Sequence, residues 1–596
     1  MKVSEYEIKN FRGIKIAKIR MGQTIAFVGE NNAGKSSFLR ALNAFFNFED
    51  EKPHFESGSH NFTSRSIPKV KVTFSSDEPP TDLRQYFKNN KCILELEYKK
   101  GKGNFYHIQG KARKEIGIDL FQKFKKVVSF VLIPQVRDHS KINGDSKTLF
   151  IKILNQYLAE QTKNRDELTP KFRKGFDHIQ NKVFAKIAKE LKHHYLLDSK
   201  FKFEINFPEE LDYTHVIHGI SLTINDNDNK FFPEDCGSGI QSLTLIALYR
   251  LLSSLTNTNI ILGIEEPEMN LHPQAQRELM SALTKSTTET DTMQILLTTH
   301  SPAIVDQLDH LDIVICKRSL DTARGFKITA GQLPSNFWQK HGLDELKTKA
   351  FFKYKNSDFF FARHVIICEG RSDVEVIKIL ASKNEINLES LGVSILNLDG
   401  VGSTKYPVSI LKELDFPHTV IVDKDFFFQY RNDDLERSRD SSGYPQYKSE
   451  FDPAHLSTID FIFKKPTVKE NLRKNLLNRH TKALDILEKY NWVCFNYTIE
   501  IDLIKSAFVR EEYFKILSTP PEKRSEEELL VNNHKAIKRY DNIVTVVNSL
   551  PTANYPHSYS RLKKLLIKLR DSIFKNEEQI FEAESEVMGQ QAQDFF

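Results

Sequence analysis

A chain of 596 residues, 40% apolar and 28% charged, is long enough for about three or four domains that each bury a core. Its 85 basic residues barely outnumber 79 acidic ones, so a net charge of +6 gives only weak support for a polyanionic partner. Five scattered cysteines without a Cys-x-x-Cys pair exclude a disulfide framework or a zinc ribbon, and no apolar run reaches the ~18 residues of a membrane span. The amino-terminal MKVSEYEIKNFRG alternates polar and apolar residues and reads as a strand, not a signal peptide. Reduced thiols and no membrane contact give a cytoplasmic location as the expectation.

Short strands are expected at 3–8, 25–28, 69–74, 92–98 and 127–133, where apolar runs end in turn residues. Between the second of these and an apolar helix start at 38–42 lies GENNAGKS, residues 29–36, which matches G-x-x-x-x-G-K-[ST]. Strand, tight loop and helix start are what phosphate binding needs: backbone N–H groups wrap the phosphates and the helix N-terminus adds partial positive charge. Gly29, Asn32, Gly34, Lys35, Ser36 and Ser37 form the expected nucleotide set. Lys35 would reach the β- and γ-phosphates, and the Ser36 hydroxyl would hold Mg²⁺.

From 141 to about 200 the texture becomes helical, with Phe172, Phe176, Ile179, Val183, Ile187 and Leu191 at spacings of four and three. Interrupting a strand-rich region, this block (about 145–200) reads as an insertion whose stripe packs on its own domain or on a second copy. Cys236-Gly237-Ser238-Gly239-Ile240-Gln241 is then a Gly-Ser turn running into a helix at 242–253, whose N-terminus offers a second anion site. The buried-type strand 260–264 ends in Glu265, placed to hold the Mg²⁺ shell, and Glu266, placed as general base. Another apolar strand, 294–298, runs into Thr299-His300-Ser301, and His300 could contact the γ-phosphate or orient the attacking water.

After a helical connector near 343–360, a new α/β unit begins. Strand 365–368 ends in Glu369-Gly370, with Asp373 one helical turn on; strand 394–398 ends in Asp399; strand 419–422 ends in Asp423-Lys424-Asp425. Successive strands ending in acids and joined by helical lengths describe a parallel sheet with carboxylates along its C-terminal edge. Such an oxygen-rich set suits Mg²⁺ or Mn²⁺, and two such ions could stabilise both the attacking and the leaving oxygen of a phosphodiester. Residues 429–452 read as a polar, mobile loop, and a Lys-rich, mostly helical tail completes the chain.

Taken in order, IKNFRG, GENNAGKS, CGSGIQ, IEEPEMNLHP and TTHSP resemble the ABC-type ATPases of DNA repair and chromosome maintenance. That resemblance implies a nucleotide-sandwiched homodimer, with Ser238 meeting the nucleotide held by the partner subunit's Lys35, His300 as switch histidine and Gln135 as Q-loop glutamine. Glu265 stands where most of that family has Asp. EGRSD, LDG and DKD together resemble the Toprim domain. Carried over, Glu369 is its motif glutamate, Asp423 and Asp425 its metal ligands, Asp373 an extra nuclease acid and Glu500 a further ligand. An ABC ATPase followed by a Toprim unit is the layout of the OLD (overcoming lysogenization defect) ATP-dependent endonucleases. The resemblance implies α/β domains throughout: an ATPase at 1–345 with a helical dimerisation insertion, a linker at 346–362, and a Toprim nuclease with a helical extension at 363–596. It also implies ATP and Mg²⁺ or Mn²⁺ as cofactors, DNA as substrate, an anti-phage role, and an accessory protein or RNA as partner. The family's late catalytic lysine is open between Lys535, Lys538, Lys563 and Lys564. An ATP-switched repair-type scaffold is the alternative, and a topoisomerase would need a DNA-gate domain that the chain does not display.

Overall fold

The computed structural model describes residues 1–134, 149–150, 153, 179–195, 201–206, 221–226, 229–256, 258–269, 271–285, 293–348 and 357–593. These divide into two compact units, Met1–Pro334 with Glu582–Phe596, and Ser335–Phe581. No helix among the described residues is long and apolar enough to cross a membrane.

The first unit is built on a twelve-stranded sheet. One half is an antiparallel run of β1 (Lys2–Phe11), β2 (Ile14–Arg20), β4 (Lys69–Ser75), β5 (Lys91–Lys99), β6 (Lys102–Gln109) and β7 (Ala112–Ile116). The other half holds β3 (Thr24–Val28), β8 (Val128–Ile133), β12 (Asn259–Glu265), β13 (Gln294–Thr298) and β14 (Ile313–Asp321), all paired in parallel. The strand β15 (Gly325–Gln332) pairs with β14 and β2 and joins the halves. A separate three-stranded sheet holds β9 (Phe201–Asn206), β10 (Ser221–Asp226) and β11 (Asn229–Phe231).

Every residue of β3, β12 and β13 is buried, the continuous apolar pattern of strands covered on both faces. Alternate side chains serve opposite layers. Phe27, Ile261 and Leu296 pack with the helix Lys35–Phe46, whereas Ala26, Leu262 and Leu297 pack with the helices Ser238–Thr256 and Pro273–Lys285. The expected stripe of the insertion falls on Ile179–Phe184 and the helix Ala185–His194, where Ile187 and Leu191 turn inward against Phe203 and Ile205 of β9. Phe172 and Phe176 lie outside the described residues. Position 127, expected in a strand, closes the helix Ile118–Val127 instead.

The second unit has a four-stranded parallel sheet in the order β17 (Val393–Asn397), β16 (His364–Cys368), β18 (His418–Val422), β19 (Trp492–Cys494). The expected α/β unit is therefore longer than the sequence suggests. Helices Leu456–Ile462, Pro466–Asn478 and His480–Leu487 carry the chain to β19 before the final helices begin. Residues 429–452, expected as a mobile loop, fold back as a bridged segment with Tyr430 opposite Tyr447 and Arg439 opposite Pro445.

Candidate functional site

The nucleotide loop joins β3 to the helix Lys35–Phe46 across a bend that needs left-handed backbone. Gly29 has φ 148°, Asn32 φ 61° and Gly34 φ 82°. A Cβ on Gly29 would lie 2.3 Å from the Cys316 carbonyl oxygen, so the loop closes against β14 only without a side chain there. Ser36 and Ser37 fill the first helical turn. The Lys35 ammonium is buried and donates to the carbonyls of Gly29 (3.1 Å) and Glu30 (2.9 Å). Burial lowers its pKa, against the pull of Glu266, Glu268 and Glu30. A buried cation bonded to carbonyls rather than to a carboxylate fits an anionic ligand such as a nucleotide phosphate.

The parallel pairing of β12 and β13 sets Glu265 opposite Thr298 and brings the motif acids to the loop's side of the sheet. Glu265 is buried, and Glu266 turns away from the strand at φ 46°, its N–H donating to the Thr298 carbonyl at 3.0 Å. That turn leaves the Glu266 carboxylate 3.6 Å from His300 Nε2. Burial and the nearby Lys35 push the His300 pKa down to about 4, so its imidazole is neutral at pH 7. Glu268, which the sequence reading did not single out, accepts the His300 N–H at 2.7 Å and fixes the backbone beneath the imidazole. Burial raises its pKa, and its second oxygen is buried without a partner. The helix expected at 242–253 is longer, Ser238–Thr256, so Ser238 stands at its first position and not in a turn before it, while Gln135 lies outside the described residues.

In the second unit, burial of β16 and β18 delivers Glu369 and Asp423 to the same sheet edge, and the turn after β18 adds Asp425. Glu369, Asp423 and Asp425 each offer an oxygen within 4.8 Å of the others. Asp373 bends back over its own helix start, taking the N–H groups of Gly370 (2.8 Å) and Glu369 (3.1 Å) on one oxygen. It holds the loop that presents Glu369. Asp423 accepts the Ile499 N–H at 3.1 Å, which ties it to the helix Ile499–Leu503 carrying Glu500. Asp399 departs from the group: at φ 53° it exchanges hydrogen bonds with Asn397 in an exposed turn.

Crowding sets the electrostatics. Burial, then Asp425, Asp373 and Glu500, push Glu369 up to about 8. Burial raises Asp373 to about 6, and burial with the neighbouring acids raises Asp423 and Asp425 as well. Glu369 Oε2 and Asp425 Oδ1 are buried with no partner. Orphaned carboxylate oxygens in an all-oxygen cluster fit a hard divalent cation. Beside them opens a cavity of about 820 Å³, lined by Glu369, Asp373, Asp423, Glu500, Lys538 and Tyr540 among others. Lys538 reaches Glu500 at 3.3 Å while staying 43% exposed, which separates it from the three other candidate lysines.

An AAA domain of the AbiEii, Type IV TA system class matches residues 25–306, and the overcoming lysogenization defect protein-like TOPRIM domain matches residues 360–425. The chain is 22% identical over 469 residues to the OLD nuclease of Thermus scotoductus, covering 70% of this chain and 81% of that one. It is 22% identical to endonuclease GajA of Bacillus cereus, with 71% and 75% covered, and 21% identical to the Old nuclease of Escherichia phage P2, with 72% and 78% covered. Among solved structures, an SMC head bound to the C-winged helix domain of ScpA is similar at a TM-score of 0.40 and 14% identity, covering 56% of this chain and 98% of that one.

Proposed function

The chain belongs to the overcoming-lysogenization-defect family, in which an AAA-type ATPase domain precedes a TOPRIM domain, and on that premise we propose that it is a nucleotide-hydrolysing, divalent-metal-dependent DNA endonuclease. The observation that carries the reading is the convergence of Glu369, Asp423 and Asp425 on one cluster with orphaned oxygens. In the ATPase, at about 1–345, Lys35 and the amides from Gly29 to Ser37 hold the phosphates, and Ser36 with Glu265 holds the accompanying Mg²⁺. Glu266 accepts the proton of the attacking water, and neutral His300, whose Nε2 lies 3.6 Å from the Glu266 carboxylate, orients that water. Ser238 serves the nucleotide of a second copy, so the working form is a homodimer or higher homo-oligomer.

In the TOPRIM unit, at about 363–596, Glu369, Asp423, Asp425 and Glu500 would hold one or two Mg²⁺ or Mn²⁺ ions, with Asp373 fixing the Glu369 loop. When bound, such ions supply Lewis-acid charge at the scissile phosphate. Lys538 faces the cavity to offset charge building on the phosphate oxygens. The similarity to endonuclease GajA and to the Old nuclease of phage P2 supports an anti-phage role, and an accessory protein or RNA is proposed as its partner.

Nicking of supercoiled plasmid, with metal and nucleotide varied independently, tests this. Glu369→Ala and Asp423→Ala are expected to abolish nicking while nucleotide binding survives. Persistent metal-dependent nicking by both variants removes the cluster from the reaction.

A further inference from the structure

Asp425 is the least anchored of the three clustered acids by its own backbone, standing three residues beyond the end of β18 in a short turn. What holds its carboxylate comes from the segment that follows. The Tyr430 phenol donates to Asp425 Oδ2 at 3.0 Å. The other oxygen, Oδ1, is buried and has no partner. One oxygen is thus occupied by a neutral donor, and the other is left within a cluster where Glu369 and Asp423 each bring an oxygen within 4.8 Å.

Tyr430 is itself held. Its ring stacks on Tyr447 with centroids 5.3 Å apart and planes at 26°, and the two residues face each other across a β-bridge. Backbone bonds close the same segment on both sides of the pair: Arg431 N–H to Gln446 O and Lys448 N–H to Gln429 O, each 2.9 Å. Its far end is tied back to the turn, with Asp452 N–H donating to Phe427 O at 2.6 Å. A phenol on a mobile loop could not select one carboxylate oxygen; this one is stacked, bridged and closed.

We propose that Tyr430 is a positioning residue for the metal site, with its hydroxyl reserving Asp425 Oδ2 so that Oδ1 faces the divalent cation. The proposal rests on the reading that these acids bind such an ion. Donors that orient a ligand carboxylate typically change metal affinity by roughly 10- to 100-fold when removed. Without the phenol the carboxylate can rotate about its Cβ–Cγ bond, and either oxygen can be drawn off the cluster.

Tyr430→Phe keeps the ring and its stack and removes only the hydroxyl. Mn²⁺ binding to the nucleotide-free, full-length protein, followed by the electron paramagnetic resonance of free Mn²⁺, reads the effect without any cleavage. The expected result is an affinity weakened by roughly 10-fold or more, with the metal-free melting temperature kept near the wild-type value. The Mn²⁺ midpoint for nicking should rise by the same factor while the saturating rate returns, a pattern that loss of folded protein would not give. Wild-type affinity in Tyr430→Phe, beside a wild-type protein that binds Mn²⁺ and an Asp425→Asn variant that does not, overturns the positioning role. No Mn²⁺ binding by the wild-type protein overturns the metal reading beneath it.

Discussion

The nucleotide site and the acidic site both lie beyond the carboxyl ends of parallel strands, and they handle charge in opposite ways. At the first, a buried Lys35 sits among Glu30, Glu266 and Glu268, whose charges pull its pKa upward against burial. Protein groups of both signs are already present, and the loop's shape is set by backbone at Gly29 and Gly34 rather than by charge. At the second, Glu369, Asp373, Asp423, Asp425 and Glu500 crowd together against two cavity-lining cations, Arg371 and Lys538, of which Lys538 is 43% exposed and paired to Glu500. A site balanced within the chain can stay folded whatever its ligand does. A site with unbalanced acids must take up protons or metal ions, so its occupancy and its fold are linked.

The largest effect that would sharpen this contrast is at the balanced site. Glu266→Gln preserves shape and hydrogen bonding to the neighbourhood of His300 but cannot accept a proton, so steady-state ATP hydrolysis should fall by roughly 10²- to 10⁴-fold while nucleotide binding persists. Hydrolysis at the wild-type rate would move the general base elsewhere. Lys538→Met at the acidic site should slow plasmid nicking by roughly 10²-fold, the usual loss when one donor to developing charge is removed. ATP hydrolysis and the metal midpoint should not move. A shifted metal midpoint in Lys538→Met would mean that the lysine orients Glu500 for the metal and does not act on the phosphate.

The two sites also differ in how far they can be read from residues alone. The nucleotide loop is local: strand, loop and helix lie within 24–46, and the unbroken burial of β3 is written as an unbroken apolar run. Glu369, Asp423 and Asp425 were legible for a similar reason, the first two directly following a buried strand and the third standing in the turn after β18. Asp399 follows a strand too, yet its exchange of bonds with Asn397 in a left-handed turn takes it out of the cluster, and nothing in Leu-Asp-Gly distinguishes the outcomes. Lys538 and the short β19 were not legible because their positions are set by packing across long stretches of chain. β19 pairs with β18 some 70 residues before it, and its three residues carry too little periodicity to announce a strand. Glu268 lies inside a motif that was read, but its burial and its bond to the His300 N–H come from the approach of β13.

The smallest effect bears most directly on the contrast in charge. Glu369 is pushed up to about 8 and Asp373 to about 6 in the folded chain, and buried Asp502, capped by the Asn496 and Tyr497 N–H groups, also rises to about 6. Unfolded, these groups titrate near the ordinary carboxylate value of about 4. Between roughly pH 4 and 8 these three groups hold more protons in the folded protein than in the unfolded chain, and their contribution to the stability of the metal-free protein falls as pH rises through that window. Glu51 works in the other direction: held down to about 2, chiefly by His60 and Asn43 overcoming burial, it is ionised in the folded chain throughout, so it opposes the slope below roughly pH 6, where the unfolded side chain still takes up protons, and adds none above. A divalent ion takes the place of the missing protons, so Mg²⁺ should raise the melting temperature by a few degrees at pH 8 and by less at pH 6, with about 2–4 °C expected per kcal/mol for a unit the size of Ser335–Phe581. Calorimetric scans in EDTA and in Mg²⁺ across this range check the sign, and Glu369→Gln should flatten the slope in EDTA. A slope that is the same with and without metal would mean that the acids titrate independently of any ion, leaving the second site as internally balanced as the first.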